Sequence, residues 1–122
     1  MGILNKLCIL IISLFVSING LAKEALIDDG EYLFKHRFAE QPNMESINLI
    51  AIVAGTAITL TNKDRAGVFP LGVIEEGELF WHKGSGQWII VSSPEDKVAK
   101  DVGGCSAGPA VINLDERVYW TC

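Results

Sequence analysis

Cysteine and histidine are among the residue types in this sequence that could ligate a metal or carry a proton. His36 and His82 are its only histidines, and either could titrate near neutral pH. Cys105 and Cys122 could join them around zinc, but the four residues lack the ligand spacing of zinc sites. No metal is expected. The cysteine pair is read instead as a disulfide, the usual outcome for two thiols of a small domain in an oxidising compartment.

Glu75, Glu76 and Glu78 form the densest carboxylate group. Paired carboxylates can run glycoside hydrolysis when burial raises the pKa of one of them. Here Glu75-Glu76-Gly77 reads as a three-residue hairpin loop with Gly77 at its left-handed position, so the acids are expected to stay solvated and ionised. The run Gly103-Gly104-Cys105-Ser106-Ala107-Gly108 could suggest a phosphate cradle. It lacks the lysine and the strand-then-helix context that a phosphate loop requires. Ser106 has no predictable histidine partner, so a sharp bend beside the disulfide is expected rather than a nucleophile turn. No cofactor is called for.

The aromatic and polar run Phe80-Trp81-His82-Lys83, with Trp88 across the next turn, is the candidate binding surface. Phe80 and His82 share one strand face, and Trp81 shares the other with Leu79. Trp81, His82, Lys83 and Trp88 could meet a ligand or partner at a barrel mouth, since tryptophan anchors interfaces well. The competing reading is that both tryptophans fill the core or brace the turn. Phe80–Gly84, FWHKG, resembles a stretch found in small periplasmic barrel inhibitors of lysozyme. That resemblance covers five residues and assigns none of them a role.

Short strands must position these groups. Glu31–Arg37 alternates, with Tyr32, Phe34 and His36 on one face. Ile47–Val53 is apolar on both faces and is expected to be central or covered on its second side. In Ala57–Thr61, Ile58 and Leu60 point inward. Val68–Ile74, Glu78–Lys83, Gln87–Ser92, Ala110–Leu114 and Arg117–Cys122 complete the set, separated by turn residues. One helix is expected near 94–102: Ser93 suits its N-cap, Pro94 its first position, and Gly103 the residue past its end. Val98 and Val102 would dock one face of it. The fold class is therefore mainly β, a small antiparallel barrel or sandwich of about 7–8 strands.

Residues 1–22 read as a signal peptide, with an apolar run at Leu7–Val16 and small residues at Gly20 and Ala22 before Lys23. Residues 23–122 read as a single β domain, exported to the periplasm or secreted. Removing residues 1–22, whose only charged side chain is Lys6, takes the formal net charge from −5 to −6. That acidity argues against nucleic acid and anionic membrane surfaces. It permits a basic protein partner. The expected function is non-enzymatic protein binding, of an inhibitor or immunity type, with a small apolar ligand in an aromatic-lined barrel cavity as the alternative.

Overall fold

The structure, a computed structural model, describes residues 27–122; the signal peptide read at 1–22 lies outside them. Seven strands form one sheet that closes into a barrel. They are β1 (Gly30–Phe38), β2 (Asn48–Ala54), β3 (Ala57–Asn62), β4 (Gly72–His82), β5 (Gln87–Val91), β6 (Val111–Asn113) and β7 (Val118–Thr121). Each strand pairs antiparallel with the next. An odd number of alternating strands leaves the first and last pointing the same way, so the closing ladder, β1 with β7, is parallel. Closure leaves no sheet edge.

The two-residue period decides what lies inside. Phe34 and His36 of β1, Leu49, Ala51 and Val53 of β2, and Ile58 and Leu60 of β3 are buried. Trp88, Ile90, Ile112 and Tyr119 meet them from the other side of the same core. A second, smaller cluster lies outside the sheet, where Ile89, Val91 and Val111 pack with Phe80, Val102 and Trp120. Ile89 and Val91 therefore face away from the barrel axis, which explains why β5 is buried along nearly its whole length. The irregular segment from Ser93 to Pro109, which carries Val102, runs between β5 and β6 beside this outer cluster.

Three expectations require correction. The predicted helix is a single 310 turn, Pro94–Val98. Ser93 and Pro94 start it as read, and Asp96 Oδ2 accepts the backbone N–H groups of Ser92 (2.8 Å) and Ser93 (3.1 Å). Nothing sustains it, because Val98 is 82% exposed instead of docked and Ala99 is already extended. A helical nucleus without an apolar face to bury does not propagate.

The predicted hairpin at Glu75-Glu76-Gly77 does not exist. β4 runs unbroken from Gly72 to His82, which leaves seven strands. Its only irregularity is a register shift opposite Leu60 and Thr61. Gly77 serves close approach: a Cβ there would collide with the Val91 carbonyl oxygen and crowd Ile90.

The third correction is partial: β2 is central, paired with β1 and β3, but its outer face is open. Ile52 is 49% exposed, and the neighbouring outward residue Leu33 of β1 is 57% exposed. Cys105 and Cys122 do meet at disulfide distance, with Cα atoms 4.6 Å apart. The bridge ties the loop before β6 to the residue that follows β7. Among the described residues, no helix is long and apolar enough to cross a membrane.

Candidate functional site

The β5–β6 ladder contains two pairs, Trp88 with Ile112 and Ile89 with Val111. Beyond Trp88 the strands part, and a cleft of about 230 Å3 opens between the β4–β5 turn and the β6–β7 turn. All three tryptophans of the chain, Trp81, Trp88 and Trp120, line it. Gln87, Asn113 and Asp115 supply its polar groups.

Each tryptophan arrives for a local reason. Trp81 and Trp88 are cross-strand partners in the β4–β5 ladder, where their rings meet edge to face with centroids 5.4 Å apart at 69°. Such aromatic pairs add specific stabilisation beyond the area they bury. Trp88 is core, at 9% exposure, whereas Trp81 and Trp120 are half-buried. Trp120 comes from the outward face of β7, opposite Val111. The turn after β6 is held by Asn113, whose Oδ1 accepts the Glu116 N–H at 2.8 Å. Arg117 takes the left-handed conformation there, φ 57°. Asp115 is the only ionisable residue lining the cleft.

The structure thus brings Trp81 and Trp88 together but separates His82 and Lys83 from them. His82 lies on the outward face of β4 and is buried. Its Nε2 donates to the Ala99 carbonyl at 2.6 Å, and its Nδ1 lies 2.7 Å from Ser85 Oγ and accepts the Ser85 N–H. Lys83 is exposed in the turn and does not line the cleft. Trp120, Gln87, Asn113 and Asp115 were not singled out by sequence reading. The outward phase of Trp120 on β7 was the available signal, since an exposed-phase tryptophan is costly unless something uses it.

His36 is fully buried, stacked edge to face on Phe38 and Phe69. Its Nδ1 meets Ser46 Oγ at 2.6 Å and its Nε2 meets Thr121 Oγ1 at 2.7 Å. Burial, and then the charge of Arg37, lower its pKa below the usual histidine value. Ser46 also touches a depression of about 360 Å3 lined by Lys35, Arg37 and Arg65. Glu45 lies among those cations, and Asp64 pairs with Arg65 at 3.5 Å, so its charge is mixed.

Glu75 is not the solvated turn residue expected. It faces the same way as its ladder partner Leu60, where the Tyr119 hydroxyl donates to its Oε2 at 3.3 Å. Burial raises its pKa, although hydrogen bonds from Tyr119 and Ser92 oppose the shift. Burial also drives the Tyr119 pKa upward, with the Glu75 charge adding to it. The Asp96 carboxylate adds a smaller upward push, whereas Glu76 is exposed and Glu78 lies 3.7 Å from Lys97.

Gly104-Cys105-Ser106-Ala107-Gly108 also spells Gly-x-Ser-x-Gly. The nucleophile elbow of that pattern is a strand–turn–helix. Here the run has neither strand nor helix beside it. Ser106 Oγ donates to the Gly103 carbonyl at 2.7 Å and accepts the Gly108 N–H at 3.2 Å. Both histidines have their partners elsewhere.

Glu40 approaches the Cys105–Cys122 pair, with Oε1 3.3 Å from Cys105 Sγ. The three groups could surround a metal only as free thiols, and all are exposed. No protein-family model matches the chain, nor does any curated protein or solved structure.

Proposed function

We propose that this is a small exported domain that works by contact with a protein partner, through the cleft of Trp81, Trp88 and Trp120. The carrying observation is the convergence of all three tryptophans, from three strands, on the one place where the β5–β6 ladder lapses. Tryptophan concentrates binding energy at interfaces because it offers a large, rigid contact area. A pair of cysteines at disulfide distance suits an oxidising compartment.

A non-enzymatic role is supported by how the titratable groups are engaged. Both ring nitrogens of each histidine meet hydroxyl, carbonyl or N–H groups rather than a carboxylate. The Ser106 hydroxyl is committed to its own loop. A base held and oriented by an acid, the core of general-base chemistry, is therefore not assembled around either histidine.

A small apolar ligand is the second reading, favoured by the aromatic lining of the same cleft. The middle of the barrel is filled by Phe34, Leu49, Ile58, Leu60 and Ile90, so such a ligand would have to use the cleft. Its volume of about 230 Å3 lies below the roughly 300–1,000 Å3 of typical small-molecule pockets. It suits an inserted side chain better.

The test reverses one charge at the rim. Wild-type domain and Asp115→Lys are used as bait on the envelope fraction of the source cells, at low and at high salt. The proposal expects a partner that wild type retains at low salt and that Asp115→Lys loses. Equal retention by both would remove the cleft from the account.

A further inference from the structure

We infer that the cleft receives a cationic side chain of the partner, an arginine before a lysine; this rests on the protein-binding reading above. Indole faces attract a cation, tryptophan most strongly of the aromatic residues, and Trp120, half-buried on the outward face of β7, stands on the lining beside the Trp81–Trp88 pair. Trp81 and Trp88 meet edge to face, so their planes form a corner instead of a flat stack. Asp115 is the only charged residue on the lining and supplies a carboxylate at the rim. Neither ion pair among the described residues involves it. Gln87 and Asn113 add amide groups at the same mouth.

The charge of the whole domain agrees with that lining. Fifteen acidic residues against nine basic ones in residues 23–122 create a field that draws cationic partners and speeds their encounter. Arginine is favoured over lysine because its guanidinium is planar, stacks on aromatic faces and sheds water more readily. It can also lie on indole while its N–H groups reach a carboxylate. An acidic or purely aliphatic anchor would leave Asp115 opposed or unused.

The three indole N–H signals of the intact domain read this out by NMR. The probes are a capped Gly-Arg-Gly tripeptide and its citrulline counterpart, which keeps the shape and removes the charge. The inference expects the arginine peptide to shift the indole signals saturably in the millimolar range, with the citrulline peptide at least about fivefold weaker. Asp115→Asn, a change in an exposed turn, should erase most of that preference while leaving the rest of the spectrum unchanged. Equal shifts by both peptides would overturn the cationic anchor yet leave the cleft as a contact site. No shift by either would overturn the anchor as well, while the protein-binding reading is judged separately by the Asp115→Lys bait experiment.

Discussion

His82 Nε2 donates to the carbonyl oxygen of Ala99 at 2.6 Å, joining the end of β4 to a residue seventeen positions further along the chain. With Ser85 on its other nitrogen, this ring fastens the irregular Ser93–Pro109 segment to the barrel. His82→Ala would leave the Ala99 carbonyl and the Ser85 hydroxyl without it. The expected cost is about 1–3 kcal/mol, read in urea unfolding. Hydrogen exchange should quicken at Ser85 and from Ala99 to Gly103, ahead of the β1–β3 ladders.

Gly77 packs where β4 and β5 approach too closely for any side chain. Gly77→Ala should therefore cost about 1–3 kcal/mol through overpacking. Gly67→Ala, where an added Cβ meets nothing within 4 Å, should leave the urea midpoint nearly unchanged. A benign Gly77→Ala would contradict the close approach of β4 and β5 at this position.

The Cys105–Cys122 bridge spans a sequence separation of 17. Loops of that size correspond to roughly 3 kcal/mol of unfolded-state entropy. The double variant Cys105→Ser with Cys122→Ser should lose about that much stability, and the wild type should lose it on addition of reductant while the variant does not respond. Because Cys122 follows β7, exchange protection of the closing β1–β7 ladder should fall first.

The buried His36 and the half-buried Glu75 give opposing pH dependences. The fold holds His36 below its usual pKa of 6.5, so the unfolded chain takes up its proton first. The stability this contributes is complete above 6.5 and is lost as pH falls through the lowered value. Glu75 is held above 4.5, so its contribution is complete below that value and is lost as pH rises through the raised one. His36→Gln should flatten the decline of the urea midpoint below pH 6.5. Glu75→Gln should raise the midpoint near neutral pH, with the gain fading as pH falls toward 4.5.

Much of the barrel was legible because alternation is local. Tyr32, Phe34 and His36 could be placed on one face of β1 from their spacing alone, and Ile58 and Leu60 on one face of β3. The junction of Glu76 and Gly77 was not, since two acids and a glycine carry the composition of a turn. What makes them strand is β3, whose Leu60, Thr59 and Ile58 pair with Glu75, Glu76 and Gly77, a contact that no local composition announces. The helix near 94–102 failed for a related reason: its caps are local and real, but the missing apolar face is a tertiary fact. The cleft was half legible. Trp81 and Trp88 face each other across a short turn that the sequence marks. Trp120 and Asp115 join them only because the β5–β6 ladder ends after two pairs, which is a matter of register rather than composition.

Site-specific photo-crosslinking in the envelope of the source cells tests the central claim most directly. A photoreactive phenylalanine analogue is placed at Gln87, on the rim of the cleft, and in a separate variant at Ile52, on the open outer face of β2. Contact through the tryptophan cleft predicts one discrete adduct from position 87, weakened by Asp115→Lys, and none from position 52. An adduct from position 52 with none from position 87 would contradict it and move the working surface to the far side of the barrel.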